Sequence, residues 1–263
     1  MPDFFSGLAY LAVCLSIAVS GARKRCPPEE STPENSGPRR PPPLSLFLSC
    51  LISLLVFLLV PCGTLPSLLP VPGGALLALG GLVAAPGLLA LSAGREAAYR
   101  RAWVPLSLGV SLGVIARYAE QRGVPGELFT LDAYVAMPII GVAEGAGKAG
   151  IGILAAASLF VLRVSFEEKP PDGDQAFPAA LSAELWALAA AAFWVCLFFP
   201  FSFAYSGGPE GWVLDALVFW GKVTGLNWFL GRRRRKFRSA WIHGAILLVF
   251  LEIGAGLLLG AAE

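Results

Sequence analysis

The sequence predicts an all-α protein that crosses a membrane about eight times. Hydrophobic residues make up 56% of the chain and charged residues only 14%, whereas ordinary soluble proteins have about 25% charged residues. Apolar runs of the length that a spanning helix needs, about 20 residues, recur along the chain. No long polar segment separates them, so we expect a single transmembrane domain over residues 1–263.

The spans are placed by the apolar runs and by the proline-rich or charged turns between them. The first run lacks the basic residues that precede the apolar part of a cleaved signal peptide, so we expect it to remain as the first helix. The predicted spans are residues 4–22, 44–61, 75–91, 102–118, 133–163, 177–199, 213–230 and 240–259.

Basic residues are concentrated in alternate loops. Those after the first, third and seventh predicted spans are rich in arginine and lysine, and Arg163 and Lys169 adjoin the loop after the fifth. The intervening loops have only Arg122, together with Arg117 at the end of the fourth predicted span. Cytoplasmic loops of membrane proteins carry such an excess of positive charge. The pattern therefore predicts a multi-pass protein of the inner cell membrane, with both termini on the outer side.

Six ionisable residues are predicted to lie at membrane depth. Such residues are costly in lipid, face the protein interior and mark pathways for ions. Two of them interrupt the fifth span within a glycine-rich run, residues 141–150, and would share one helix face at their i, i+4 spacing. That pair would either carry ions or only fix helix packing. The predicted ion pathway consists of Glu144, Lys148, Glu184, Asp215, Lys222 and Glu252.

Potential metal ligands are few and scattered. None of the five cysteines belongs to a C-x-x-C pair, and His243 is the single histidine. Zinc, haem and iron–sulfur centres need clustered ligands, so we expect no metal and no cofactor in this chain. The net charge of +2 gives no indication of a nucleic-acid partner, and none is expected.

Three short motifs occur in the loops that are predicted to be cytoplasmic. An Arg-Glu pair is followed, ten residues after the arginine, by a proline at the start of the fourth span. Acidic residues precede a Pro-Pro-Asp run after the fifth span, and an arginine-rich run precedes the last one. The residues that carry these motifs are Arg95, Glu96, Pro105, Glu167, Glu168, Asp172, Arg232 and Arg233.

With eight predicted spans and four basic cytoplasmic loops, the chain resembles the NADH dehydrogenase subunit one family of respiratory complex I. The family includes the related membrane subunits of membrane-bound energy-converting hydrogenases. The chain departs from the complex I pattern at Val104, where the family has an acidic residue, and at Pro171, where it has phenylalanine. The resemblance is therefore closer to the hydrogenase-type relatives, which need no quinone.

The resemblance implies a coupling and anchoring subunit rather than an enzyme that acts alone. Members of the family lie in the membrane beneath a soluble arm that holds iron–sulfur clusters and, in the hydrogenases, a nickel–iron site. They link electron transfer in that arm to proton or sodium movement through antiporter-like membrane subunits. The loop motifs would dock the arm, the membrane-depth charges would belong to the ion pathway, and membrane lipid would surround the chain.

Two other functions fit parts of the sequence. A stand-alone small transporter would use residues 141–152 as a broken helix at its substrate site. An intramembrane enzyme that acts on lipid-linked substrates would hold Mg²⁺ with the loop acids Glu167, Glu168, Asp172 and Asp174. An inverted repeat would favour the transporter, and a metal-dependent activity of the purified chain would favour the enzyme.

Overall fold

A computed structural model describes residues 2–25, 44–62, 67–69, 71–93, 95–124, 126–143, 145–165, 176–200 and 209–231. In these ranges the chain forms nine helices: α1 (Pro2–Arg25), α2 (Leu44–Leu59), α3 (Gly74–Ala93), α4 (Arg95–Gln121), α5 (Leu131–Ala136), α6 (Ile139–Val142), α7 (Ala146–Ser165), α8 (Ala176–Phe198) and α9 (Pro209–Gly231). The same ranges contain no strand, so the all-α prediction is confirmed for them.

Four helices are long and apolar enough to cross a membrane. Their spanning segments are Gly74–Leu91, Arg101–Gln121, Gly147–Ser165 and Ala176–Phe198. Helix α2 is also apolar, but it is shorter, with 16 residues. By length and hydropathy, the described residues therefore contain four candidate membrane spans. The predicted last span, 240–259, lies outside the described residues.

Helix α8 is the axis of the bundle. All its residues from 182 to 198 are buried, and α1, α2, α3, α5 and α9 pack around it. Residues 189–192 are all alanine, and such small side chains let neighbouring helices approach closely. Apart from Ser182 and Glu184, the helix is apolar on every side, as a helix surrounded by protein or lipid is expected to be.

Hydrogen bonds between helices show which helix ends lie together. Ser49, in the second turn of α2, donates to the carbonyl oxygen of Ala85 in α3 and lies 2.7 Å from the hydroxyl oxygen of Ser182 in α8. At the other end, the Cys196 thiol donates to the carbonyl oxygen of Pro61. We call the end at which α2, α4 and α8 begin the basic end, because the basic loops adjoin it, and the opposite one the distal end.

The predicted fifth span, residues 133–163, is not a single helix. The chain breaks at Met137-Pro138, between α5 and α6, and again between α6 and α7. Proline lacks the N–H that a continuous helix requires. Gly145, directly before α7, has a φ of 47°, a left-handed conformation that a continuous right-handed helix does not contain. The prediction was wrong because it took the length of the apolar run as the length of one helix.

Helix α4 begins earlier than the sequence predicts. The predicted span 102–118 has Pro105 near its start, whereas the observed helix begins at Arg95 and contains Pro105 in its interior. Arg95 and Glu96 therefore belong to the first turn of α4 rather than to a loop. Arginine, glutamate and alanine are good helix formers, so residues 95–100 extend the helix beyond its apolar part.

The chain between α4 and α7 covers the distal end of the bundle. The carboxylate of Asp132, in α5, accepts hydrogen bonds from the backbone N–H and the hydroxyl of Ser67, at 2.8 and 2.7 Å. The Tyr134 hydroxyl donates to the carbonyl oxygen of Leu128 at 2.6 Å. The bonds to Asp132 tie the loop after α2 to α5, and the Tyr134 bond ties α5 to the segment that precedes it. Helix α5 itself packs on α8.

Candidate functional site

Glu184 is the buried acid at the centre of the candidate site. Only 4% of its surface is exposed, on a helix that is apolar apart from Ser182. Its carboxyl group faces α1 at Gly21, where an added Cβ would lie 2.9 Å from Cδ of Glu184. Glycine at this position therefore leaves the space that the carboxyl group occupies. An ionisable residue that faces protein inside a candidate span is the arrangement expected of an ion pathway.

Arg101 and Trp186 form a second buried contact close to Glu184 along α8. The Arg101 guanidinium lies 5.5 Å from the centre of the Trp186 ring, and 5% of the arginine is exposed. The indole N–H of Trp186 donates to the carbonyl oxygen of Leu82 at 2.9 Å. The electron-rich ring face attracts the cation in this desolvated setting.

Arg101 was missed as a site residue by the sequence reasoning, which assigned it to a basic turn. Its burial follows from the early start of α4, which places Arg101 in the second turn of the helix and not before it. The helix propensity of residues 95–100 is the sequence signal that would have placed it there.

The hydroxyl groups of Ser49 and Ser182 join α2, α3 and α8 near the same level. Because Ser49 donates its single hydroxyl proton to Ala85, Ser182 must be the donor in the contact between the two serines. Residues 182–186 of α8 thus carry polar contacts on several sides of the helix. We call the group of Ser49, Arg101, Ser182, Glu184 and Trp186 the polar belt.

Lys222 and Asp215 lie on α9, far from the polar belt. The Lys222 ammonium donates to the carbonyl oxygen of Phe199 at 3.1 Å, so it caps the C-terminal end of α8, where the helix dipole favours a cation. Phe199 follows Glu184 by fifteen residues, about 22 Å along a helix. Asp215 is buried seven residues before Lys222, on the same helix. The structure therefore does not bring Lys222 into contact with Glu184.

The glycine-rich interruption lies toward the distal end of the bundle. Gly147, in the first turn of α7, packs against the hydroxyl group of Tyr118, which lies three residues before the end of α4. Lys148 is exposed. Lys148 lies in α7, which begins at Ala146, whereas Glu144 lies outside the described residues, so the predicted i, i+4 pair stays a prediction. The free-energy cost of placing a charged side chain in a bilayer falls toward the membrane surface. Lys148 is therefore less unusual at the distal end of the bundle than it would be at the centre of the bilayer.

The remaining predicted site residues are described only in part. The structure places the backbone of Arg95 and Glu96 in the first turn of α4, and Pro105 is buried inside that helix. The others lie outside the described ranges: Glu144, Glu167, Glu168, Asp172, Arg232, Arg233 and Glu252.

The buried thiols lie in unreactive surroundings. Cys62, in the loop after α2, is buried, and this burial raises the pKa of its thiol to about 12. A thiol must lose its proton to act as a nucleophile or a metal ligand, so burial disfavours the reactive form of Cys62. Among the residues that the structure describes, no group of three or more histidine, cysteine, aspartate or glutamate side chains could hold a metal ion.

Comparisons with known proteins do not assign the chain to a family. No family model matches the sequence, and no curated protein matches it.

The contact between Gly147 and Tyr118 gives a direct test of the packing of α4 on α7. We expect Gly147→Ala to lower the free energy of unfolding by about 1–3 kcal/mol, because the new methyl group meets the tyrosine hydroxyl. The hydroxyl oxygen has no hydrogen-bond partner in the described structure, so Tyr118→Phe should cost little and should relieve part of the loss. Thermal unfolding in detergent measures both single variants and the double variant.

The matched control is Gly152→Ala, on the same helix. A Cβ at Gly152 meets no atom within 4 Å, so the variant should be neutral or up to about 1 kcal/mol more stable. Equal effects of the two glycine substitutions would contradict the described contact.

Proposed function

We propose that this chain is a membrane-embedded coupling and anchoring subunit of a multisubunit, ion-translocating oxidoreductase or hydrogenase. The observation that carries the proposal is Glu184, an acid buried on the central helix of an apolar bundle. Buried ionisable groups in membrane proteins mark routes for protons and ions. The resemblance to the NADH dehydrogenase subunit one family supplies the kind of complex.

In this proposal Glu184 takes up and releases a proton inside the bundle. The polar belt places a guanidinium and two hydroxyl groups near the same level as the acid, toward the basic end. Direct proton transfer requires hydrogen-bond distance or one bridging water, and about 22 Å separates Glu184 from the level of Lys222. The route therefore needs further groups, for which Glu252 and the antiporter-like partner subunits are the candidates.

The redox chemistry belongs to partner subunits in this proposal. Iron–sulfur clusters and, in a hydrogenase-type complex, a nickel–iron site would lie in a soluble arm, with no cofactor in this chain. The arm would dock at the basic end, on the cytoplasmic side of the inner membrane. The docking residues would come from the three loop motifs, with Arg95 and Glu96 presented by the first turn of α4.

The proposal is tested by purifying the chain from its native membrane in mild detergent and identifying the proteins that co-migrate by mass spectrometry. We expect iron–sulfur or hydrogenase-like proteins together with antiporter-like subunits. The double substitution Arg232→Glu and Arg233→Glu should release the soluble partners while leaving the membrane partners bound. A chain that migrates alone or as a homo-oligomer would contradict the proposal.

A small transporter is the second candidate, favoured by the break between α6 and α7. Transporters often form their substrate sites where a spanning helix is broken and the ends of the half-helices face the ligand. The left-handed Gly145 and the close packing of Gly147 belong to such a break. This alternative expects the purified chain alone to move a solute into liposomes, with the uptake reduced by Lys148→Met.

A further inference from the structure

Helix α1 carries a polar groove on the face that turns away from the bundle. Cys14, Ala18 and Ala22 are buried, and α1 packs mainly on α8. The opposite face holds a groove of about 460 Å³, whose described lining residues are Ser16, Val19, Ser20, Arg23 and Lys24. Positions three and four residues apart share one side of a helix, so these five side chains form a continuous stripe.

The stripe combines two hydroxyl groups with two cations and contains no acidic side chain among its described residues. Arg23 and Lys24 are exposed at the basic end of the helix, and Ser16 and Ser20 are exposed on the preceding turns. Guanidinium and ammonium groups both bind phosphate, and the hydroxyls can donate to neutral oxygen acceptors. The groove is therefore complementary to an anion with further oxygen atoms beside it.

The stripe is long enough to cross the headgroup region of a membrane and to reach into the hydrocarbon core. Eight residues separate Ser16 from Lys24, about 12 Å along the helix. The headgroup region is about 5–7 Å thick on each side of the hydrocarbon core. With α1 spanning the membrane as the sequence predicts, the cations would lie at the depth of the lipid phosphates. The serines would lie at and below the depth of the ester groups, where water is scarce and a hydroxyl needs a partner.

We propose that this groove binds an anionic phospholipid, with Arg23 and Lys24 holding its phosphate and Ser20 and Ser16 donating to its ester oxygens. A protein helix docked on the same face would bring two cations into its interface and would need acidic partners for them. A phospholipid instead provides both a phosphate anion for the two cations and acyl chains for the hydrocarbon region beside the helix. This inference concerns the outer face of α1 and does not rest on the proposed coupling function.

The test is native mass spectrometry of the full, delipidated chain, titrated with phosphatidylglycerol and with phosphatidylcholine of the same acyl chains. We expect phosphatidylglycerol to bind more tightly, and Arg23→Ala with Lys24→Ala to weaken its binding about tenfold or more. The matched control, Arg117→Ala with Arg122→Ala, removes the same charge from exposed positions at the distal end of the bundle and should weaken binding clearly less than the groove variant does. Ser16→Ala with Ser20→Ala should weaken binding but keep the preference for the anionic lipid.

A second variant covers the case in which the double substitution fails to fold. Ser20→Leu fills the groove and leaves both cations, and it should also weaken phosphatidylglycerol binding. Equal binding of the two lipids, or equal losses in the groove and control variants, would overturn the proposal. Displacement of the lipid by millimolar glycerol 3-phosphate would show a site for a free phosphate and would overturn the assignment to lipid.

Discussion

Replacing Trp186 by alanine is expected to lower the free energy of unfolding by about 3–5 kcal/mol. The indole ring is fully buried on the central helix, so its removal leaves a cavity where α3, α4 and α8 meet. The substitution also removes the hydrogen bond to Leu82 and the ring that lies against the Arg101 guanidinium. Thermal or chemical unfolding in detergent, followed by circular dichroism, measures the loss.

Two further tryptophan variants separate packing from the hydrogen bond. Trp186→Phe keeps most of the ring and loses the indole N–H, so we expect a smaller loss of about 1–3 kcal/mol. Trp228 on α9 is 60% exposed, and its replacement by alanine should change stability by less than about 0.5 kcal/mol. If Trp186→Ala were as mild as Trp228→Ala, α8 would not be the packed axis described here.

Under the proposed coupling function, Glu184→Gln in the intact complex is expected to abolish ion movement while electron transfer in the soluble arm continues. Glutamine has nearly the same shape and can hydrogen-bond, but it cannot exchange a proton. The effect should therefore fall on translocation and not on folding. Proteoliposomes that contain the complex and an internal pH-sensitive dye report the ion movement, and the rate of acceptor reduction reports the redox activity.

Two variants make this result specific to the buried carboxyl group. Glu120→Gln removes a carboxylate that is 61% exposed and pairs with Arg117 at 2.8 Å, and it should leave both activities unchanged. Gly21→Ala retains Glu184 but pushes its carboxyl group aside, so ion movement should fall partly. Normal ion movement in Glu184→Gln would remove this residue from the pathway, and loss of both activities would mean that its role is structural.

The positions of most helices could be predicted from the sequence. Helices α2, α3, α8 and α9 begin within a few residues of the predicted starts, because apolar runs bounded by proline, glycine and charge determine where a helix can lie. The start of α4 was missed because the prediction followed hydropathy and neglected the helix propensity of its polar first turns. Whether all eight predicted segments cross the membrane stays a prediction.

The candidate site could be predicted only in part. Glu184 was recognised as a costly charge in an apolar run, and the structure places it inside the bundle. Lys148 was recognised by the same argument, yet it is exposed near the distal end. The local sequence around the two residues does not distinguish them, and only their surroundings in the folded protein differ. Whether each side chain is buried depends on how distant segments pack, so it could not be predicted from the sequence.

The sequence by itself determined that this chain is helical and suited to a membrane, because composition and the length of apolar runs act locally along the chain. Only the tertiary structure decided which helix became the axis of the bundle and which charged side chains became buried inside the bundle. Apart from Ser182 and Glu184, helix α8 is apolar on every side, so no periodicity indicates which of its faces meets which neighbour. The space beside Gly21 and the ring beneath Arg101 exist only once α1, α4 and α8 are packed together, and these contacts define the surroundings of the buried charges.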